Sequence, residues 1–297
     1  MKYLVIINPC AGRGKSLKML PRLRNWLSRC PHDFTFTMTP SPDEMRDAIA
    51  DAAARQFDGV LLAGGDGTIH EALDTLSRSS LVCGILPCGR GNDFARNIGI
   101  PNDLKSNCIV ARYPAVSTID LPSVNGIPFA SVACIGFDAD VNRLARDKKG
   151  FFGGTPGYII CVLKALREFK PFDIELGVDS YTWSGRVVMV SVANGKFYGG
   201  GMKIAPDALI DDGALDICIV KQASRSEIIR HFPGIFRGSH VHSPKVMMLR
   251  GKKISIAANV KKEVFADGEY LCSLPAECSI GHRKFKIIKA IENGDET

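Results

Sequence analysis

The sequence lacks any long hydrophobic run and any paired cysteine motif. Its first apolar run, residues 3–7, is ended by Asn8 and Pro9, far short of a signal-peptide core or a membrane-spanning helix. Ten cysteines are present, but they are scattered singly, without the C-x-x-C pairs or dense clusters of small secreted scaffolds. These absences exclude a disulfide scaffold and lead us to expect a cytoplasmic protein with reduced cysteines.

Low-complexity tracts and internal repeats are also missing, and the six histidines show no metal-ligand spacing, so we expect neither a disordered chain nor a zinc site. Hydrophobic residues make up 45% of the sequence and charged residues 23%, which suits a globular protein. A length of 297 residues exceeds the usual domain size of about 100 to 200 and predicts two domains. The net charge of +7 favours an anionic partner, but charge alone does not choose among nucleotides, acidic lipids and nucleic acid.

The first part of the chain alternates short β-branched runs with amphipathic segments. The pattern predicts strands at residues 4–7, 34–37, 60–63 and 83–86, and helices at residues 15–29 and 43–55. Ser41 and Pro42 are the residue types preferred at a helix cap and first turn. We therefore expect an α/β N-terminal domain, residues 1–122, with a mainly parallel sheet that binds ligands beyond the carboxyl ends of its strands.

The second part is predominantly β in pattern, with predicted strands at residues 129–135, 186–192, 215–220 and 253–257. Helical segments are predicted at about 158–169 and 226–236. This region, residues 123–287, is expected to form a β-rich domain for the substrate. The last apolar run, residues 285–288, either closes that domain or begins a C-terminal segment, 288–297, that returns to the first.

The strongest local signal is a glycine loop between a buried strand and a helix. The loop consists of Gly64, Gly65, Asp66, Gly67, Thr68, Ile69 and His70. Glycines let the main chain approach a phosphate, and the helix adds its positive N-terminal end. The Asp66 carboxylate suits such a site only if it faces a metal ion or orders a second loop. The alternative is a tight strand-to-helix turn without a ligand.

Two further glycine loops follow predicted strands and precede helices. The first contains Asn8, Pro9, Cys10, Ala11, Gly12, Gly14 and Lys15, and the other contains Gly89, Arg90, Gly91, Asn92, Asp93 and Phe94. The first is not a Walker loop, because Pro9 stands where that pattern needs glycine; the other is not a dinucleotide fingerprint, because Phe94 replaces its last glycine. All three loops are expected at the same end of the sheet.

In this order, the motifs N-P-x-x-G-x-G-K, G-G-D-G-T and G-x-G-N-D-F-A resemble the diacylglycerol kinase catalytic family, which includes bacterial lipid kinases and sphingosine kinases. Residues 206–213 and 266–269 resemble that family's later motifs, so the similarity covers nearly the whole chain. It implies ATP-dependent phosphorylation of a lipid hydroxyl, most directly that of diacylglycerol. It also implies a β-sandwich-like second domain and an active site in the inter-domain cleft.

The resemblance also implies a nucleotide site. Its residues would be Asn8 to Gly12, Thr39 and the Gly64 to His70 loop, together with Asn92 and Asp93. Asp66 and Asp93 would lie near a catalytic Mg²⁺ carried by ATP, and Asp66 is counted among the catalytic residues. One departure is Arg90, which stands where the family usually has threonine. Arginine grips phosphate through a charged fork but does not reproduce a compact hydroxyl contact.

Two acidic motifs remain. Asp267-Gly268-Glu269 is either an acidic hairpin turn or a catalytic pair, and the resemblance favours Glu269 as general base, with Asp267 as a supporting ligand or the base itself. For residues 209–214 the resemblance implies a structural Mg²⁺ bound by the Leu209 carbonyl, the Asp212 carboxylate and the Ala214 carbonyl. The alternative for this segment is a solvated acidic turn.

A lipid acceptor implies peripheral contact with a membrane surface, with anionic phospholipid as the expected partner and no role for nucleic acid. Two segments are candidates for this contact: a basic helical stripe of Lys15, Lys18, Arg22 and Arg29, and the aromatic and aliphatic run 151–163. The alternative for the basic stripe is an ordinary solvated helix face, and the alternative for the run 151–163 is burial against the β-rich domain. The sequence leaves open whether the chain forms a homodimer. It also leaves two alternative functions: a soluble-metabolite kinase of the NAD kinase type, and a noncatalytic nucleotide or lipid sensor.

Overall fold

A computed structural model describes residues 1–103, 107–108, 111–112, 114–147 and 155–289. The chain forms two compact units: one comprises residues 1–121 and 282–297, and the other comprises residues 122–281. The candidate membrane residues 151–154 lie outside the described residues, as does most of the predicted C-terminal segment, 290–297.

The first unit is an α/β structure. Its elements are β1 (Lys2–Ile7), α1 (Lys15–Leu27), β2 (Asp33–Met38), α2 (Pro42–Ala54), β3 (Gly59–Gly64), α3 (Asp66–Ser77), β4 (Val82–Pro87), α4 (Asp93–Asn97) and the first part of β5 (Ala115–Val124). The four predicted strands and the two predicted helices are confirmed. Ser41 caps α2 by accepting a hydrogen bond from the Glu44 N–H, and Pro42 takes the first helical position.

The strands β4, β3, β1 and β2 form a parallel sheet in that spatial order. In the register, Ile7 lies beside Met38 and Ala63, and Ala63 lies beside Leu86. Every residue of β3 and β4 is buried, as expected for central strands covered on both faces. This register brings the carboxyl ends of β1, β3 and β4 to one edge, where all three glycine loops begin.

The second unit is built mainly of antiparallel strands. Its elements are β6 (Ile127–Pro128), β7 (Val132–Gly136), α5 (Phe137–Asp147), α6 (Thr155–Glu168), β8 (Phe172–Val178), β9 (Tyr181–Ala193), β10 (Phe197–Tyr198), β11 (Met202–Lys203), β12 (Leu215–Lys221), α7 (Arg225–His231), β13 (Val246–Gly251), β14 (Lys253–Ala258), β15 (Glu263–Ala266) and β16 (Glu269–Ser273). The order β16-β15-β7-β9-β8-β14 runs through the sheet, and β12 pairs with both β9 and β13. The β-rich prediction is confirmed.

Several boundaries differ from the sequence prediction; β9, for example, begins at Tyr181 rather than at Arg186. The strand predicted at 129–135 begins only at Val132 and runs directly into α5, which was not predicted. The helix predicted at 226–236 ends at His231 and continues as a 3-10 turn, Phe232–Phe236. Pro233 explains this change, because proline lacks an N–H and disfavours helical geometry in the residue before it.

The last strand, β17 (Ala276–Lys289), pairs with elements of both units. Residues 276–279 lie antiparallel to β14, whereas Ile287 lies parallel to Cys83 of β4. The run 285–288 therefore joins the parallel sheet of the first unit.

Candidate active site

The three glycine loops meet at the carboxyl edge of the parallel sheet. A Cβ added at Gly12 would lie 2.1 Å from the Cys88 carbonyl oxygen, and one added at Gly65 would lie 2.9 Å from the Gly89 Cα. Real Cβ atoms do not approach backbone so closely, so these positions require glycine. The close approach joins the loop after β4 to those after β1 and β3.

Asn8 links the first two loops. Its Nδ2 donates to Thr68 Oγ1 at 2.9 Å, and its Oδ1 accepts from the Cys10 N–H at 2.9 Å. Its main-chain carbonyl accepts from Ser16 Oγ at 2.6 Å, which fixes the start of α1. The loop of Asn8, Pro9, Cys10 and Ala11 is therefore held in place by side-chain hydrogen bonds.

The second loop places the beginning of α3 at this edge. Gly64 ends β3 and α3 starts at Asp66; the buried Thr68 and Ile69 pack inward, whereas Gly67 is exposed and His70 is half-buried. A Cβ at Gly64 would lie 2.4 Å from the Thr68 side chain, which explains the glycine there. The N-terminal end of α3 carries the positive end of the helix dipole and can bind an anion such as a phosphate.

Two carboxylates border the third loop. Asp66 Oδ1 accepts a hydrogen bond from the Phe94 N–H at 3.0 Å, so this carboxylate orders the loop after β4. A Cβ added at Gly91 would lie 3.0 Å from Asp66 Oδ2 and 3.1 Å from Asp93 Oδ2. Asp93 is buried and forms an ion pair with Arg96 at 2.5 Å. Glycine at position 91 therefore leaves open a space that two carboxylate oxygens border.

Other predicted nucleotide residues lie on or next to these loops. Asn92 has a left-handed backbone, with φ of +50°, and donates to the Gly89 carbonyl at 3.2 Å. Arg90 is exposed. Thr39 follows β2 and is buried; its N–H donates to the Ile7 carbonyl, and its Oγ1 has no hydrogen-bond partner among the described residues. Burial raises the pKa of the Cys88 thiol to about 11, which keeps it protonated and unreactive.

Asp267 and Gly268 form the turn between β15 and β16 in the second unit. Both have positive φ, +52° and +88°, and Ala266 pairs with Glu269 across the turn, as in a two-residue hairpin. The Asp267 carboxylate accepts from the N–H groups of Ala130 at 2.7 Å and Ser131 at 2.8 Å. Glu269, the first residue of β16, is half-buried.

The Asp212 carboxylate, a predicted magnesium ligand, has protein partners. One of its oxygens accepts from the Ala214 N–H at 3.2 Å, and the other forms an ion pair with Arg250 of β13. Both oxygens of the Asp212 carboxylate are thus engaged by protein partners, one of them a guanidinium, so this arrangement does not fit a Mg²⁺ ligand. The ligand set of Leu209, Asp212 and Ala214 stays a prediction, and no reaction step is assigned to it. Across the described residues, no cluster of three or more His, Cys, Asp or Glu residues suits a metal ion.

Sequence reasoning missed a buried carboxyl group in the second unit. Asp138 lies in the first turn of α5, is 7% exposed and accepts a hydrogen bond from Tyr198 Oη at 2.5 Å. Burial raises the pKa of this carboxyl from 3.8 to about 6. The sequence signal was an acidic residue two positions after a strand, and that signal is recognisable only once α5 is known.

Comparison with known proteins identifies the family. Residues 2–124 match the diacylglycerol kinase catalytic domain, and residues 131–289 match the YegS C-terminal NAD kinase beta sandwich-like domain. A diacylglycerol kinase from Mycobacterium tuberculosis strain H37Rv is 33% identical over 288 residues, covering 94% of this chain and 92% of the relative. One from Bacillus subtilis strain 168 is 28% identical over 298 residues, covering 98% and 97%.

A crystal structure of a proposed diacylglycerol kinase from Bacillus anthracis strain Sterne has a TM-score of 0.80 and 25% identity, covering 98% of this chain and 97% of that one. Within the described part of this chain, no helix is both long and apolar enough to cross a membrane. The two domain matches and the relative at 33% identity lead to one assignment. The chain belongs to the diacylglycerol kinase family of lipid kinases.

Proposed function

We propose that this enzyme transfers the γ-phosphoryl group of ATP to a hydroxyl group of diacylglycerol or a related glycerolipid. The observation that carries the proposal is the convergence of three glycine loops on the N-terminal end of α3, beside the carboxylates of Asp66 and Asp93. Phosphoryl transfer depends mainly on positioning and on neutralising charge, and this edge of the sheet supplies elements for both. The acceptor is proposed from the names of the relatives.

The proposal assigns the ATP phosphates to the main-chain N–H groups of the glycine loops and to the N-terminal end of α3. Asn8 holds the first two loops together, and Asp66 holds the third against the start of α3. Thr39 is assigned to the nucleotide because its buried hydroxyl has no partner among the described residues. The exposed Arg90 is assigned a phosphate contact.

Asp66 and Asp93 are the residues assigned to a Mg²⁺ ion that arrives with ATP. Their carboxylate oxygens border the space that Gly91 leaves open, and carboxylate oxygen is a ligand that this hard cation prefers. When bound, the ion neutralises charge on the phosphate oxygens. The protein's own contribution is to hold the two carboxylates in place: Asp66 accepts a hydrogen bond from the Phe94 N–H, and Asp93 pairs with Arg96.

Glu269 is assigned as the general base that takes the proton of the acceptor hydroxyl. Asp267 is less suited to this task, because both of its carboxylate oxygens accept main-chain hydrogen bonds. Its proposed role is to fix the hairpin turn and with it the start of β16. The proposal thus assigns the nucleotide to the first unit and the base to the second.

The partner is proposed to be a membrane surface that contains anionic phospholipid, contacted peripherally from the cytoplasmic side. Lys15, Lys18, Arg22 and Arg29 are exposed along α1 and the residues that follow it, and no acidic residue precedes Asp33 in the chain. Such a basic stripe favours anionic headgroups.

The test is phosphate transfer from radiolabelled ATP to a panel of acceptors: dioleoylglycerol in mixed micelles, sphingosine, monoacylglycerol and NAD. We expect labelled phosphatidic acid, with Mg²⁺ required and with strongly reduced product from Glu269→Gln. Labelling of NAD without labelling of any lipid would replace the proposal with the soluble-metabolite kinase. ATP binding without turnover on any acceptor would support the sensor.

A further inference from the structure

The segment 225–237 of the second unit, which comprises α7, the 3-10 turn Phe232–Phe236 and Arg237, lies entirely at the surface. None of the residues in α7 or in the turn is buried. Yet the segment contains five large apolar side chains: Ile228, Ile229, Phe232, Ile235 and Phe236. Ile229 is 55% exposed and Phe236 is 46% exposed. The Phe236 ring contacts the Phe232 ring edge to face, with 6.1 Å between centroids, but this contact leaves nearly half of Phe236 exposed.

The apolar residues of the segment divide into an inner and an outer group. Ile228, Phe232 and Ile235 line an apolar hollow of about 70 Å³ against the unit's strands. A hollow of this volume is too small for an acyl chain. The inner residues therefore seat the segment on the unit, and a ligand would meet the outer residues, Ile229 and Phe236.

Positive charge accompanies the outer apolar residues. Arg230 and Arg237 are exposed, and neither forms a salt bridge with a described residue. The segment's one acidic residue, Glu227, is engaged in a capping box with Ser224, with hydrogen bonds of 2.7 and 3.3 Å. The outer face of segment 225–237 thus combines exposed apolar groups with unpaired positive charge.

A neighbouring helix also carries exposed apolar side chains. Arg225 donates a hydrogen bond to the Arg167 carbonyl at 2.7 Å, which fixes the start of α7 beside the C-terminal end of α6. On α6, Leu163 is 57% exposed and Ile160 is 38% exposed. Both belong to the run 151–163 that the sequence suggests for lipid contact. Exposed apolar groups therefore occur on two elements joined by a hydrogen bond.

We infer that segment 225–237 docks the enzyme on an anionic lipid bilayer. In this inference, Ile229 and Phe236 enter the headgroup boundary, while Arg230 and Arg237 contact lipid phosphates. The inference rests on the proposed function, because a lipid acceptor requires the enzyme to reach a bilayer. A second copy of the chain is a poorer occupant, since a two-fold contact through this face would bring its arginines close to their own copies.

The test is co-sedimentation of the full chain with vesicles of phosphatidylcholine, alone or mixed with phosphatidylglycerol. One variant carries Ile229→Ser and Phe236→Ser, and another carries Arg230→Gln and Arg237→Gln. The matched control carries Val260→Ser and Lys261→Gln, since Val260 is 46% exposed, equal to Phe236, and Lys261 is exposed in the same unit. We expect both test variants to bind mixed vesicles about tenfold more weakly or worse, with the control unchanged.

Three results would overturn the inference. The first is unchanged vesicle binding of both test variants, and the second is loss of binding only when Lys18 and Arg22 of α1 are changed to Gln. The third is a lower mass of the test variants than of the wild-type chain in light scattering, which would show that the segment is a protein interface. Because binding is measured without turnover, a lack of kinase activity would refute the proposed function and leave this inference standing. On a water-soluble short-chain diacylglycerol, both test variants should keep wild-type turnover.

Discussion

Substituting an amide for the carboxylate at Glu269 and at Asp267 distinguishes a catalytic role from a structural role within one hairpin. Glu269→Gln keeps the shape of the side chain but removes the proposed base. Asp267→Asn also keeps shape, but it replaces one carboxylate oxygen with an NH₂ group that cannot accept a hydrogen bond. The two substitutions should therefore affect different measurements.

The size of the Asp267→Asn effect follows from its contacts. The N–H groups of Ala130 and Ser131 bind different oxygens of the carboxylate, at 2.7 and 2.8 Å, and both residues are buried. In either amide orientation, one of these donors loses its acceptor. A buried donor without a partner costs about 1–3 kcal/mol. A loss of about 2 kcal/mol lowers Tm by about 4–8 °C for a unit of this size.

The expected effect of Glu269→Gln lies in the chemical step. General-base catalysis contributes about a hundredfold to ten-thousandfold, and a loose phosphoryl-transfer transition state places the effect near the lower end. We expect kcat to fall about a hundredfold, equivalent to about 2.7 kcal/mol in the activation barrier, with the KM for ATP and the Tm unchanged. Glu277→Gln, at an exposed position on β17, is the matched control and should retain wild-type values.

Steady-state kinetics with Mg-ATP and dispersed diacylglycerol, together with thermal unfolding of each variant, decide between the two roles. A wild-type Tm in Asp267→Asn, combined with a larger loss of kcat than in Glu269→Gln, would make Asp267 the base. Near-normal turnover of Glu269→Gln, under conditions where chemistry limits the rate, would exclude Glu269 as an essential base.

Three further substitutions address the other carboxylates. Asp66→Asn should lower kcat about a hundredfold or more, with the Tm kept because the amide oxygen still accepts from Phe94; Asp74→Asn on the same helix is its control, and wild-type kinetics would refute the assignment. Asp212→Ala should lower the Tm by removing the partner of Arg250, while EDTA should leave the wild-type Tm unchanged; a fall that Mg²⁺ reverses would instead support a structural metal. Burial raises the pKa of Asp138 from 3.8 to about 6, so the folded state holds a proton that the unfolded state releases in this window, and stability should decline as pH rises through it. Asp138→Asn should therefore gain Tm relative to wild type between about pH 4 and pH 6, and a pH-independent difference would contradict this.

The first unit could be predicted from sequence because its signals are local. The runs that became β1 to β4 are short and apolar or β-branched, and each is followed by a turn signal; β1, β3 and β4 are also largely buried. Three glycine loops on one sheet edge follow from parallel strand order alone. The helix α5 was missed because it starts directly after β7, without a break between them.

The contacts of the acidic motifs could not be predicted, because their partners are distant in sequence. The turn residue Asp267 binds main-chain donors 137 and 136 residues earlier, at Ala130 and Ser131. Asp212 pairs with Arg250, 38 residues later. Local patterns identify a charged turn, but only the folded chain shows which donor or cation meets it.

The pairing of β17 has a consequence for biosynthesis. Because Ile287 pairs with β4 and residues 276–279 pair with β14, each of these two earlier strands has only one neighbour, β3 and β8 respectively, until the ribosome has made β17. During translation, both therefore present an unpaired edge, and such edges recruit other strands and promote aggregation. A message truncated before codon 276 would yield a product in which neither unit has its full sheet, and such a product should aggregate more readily than the full chain.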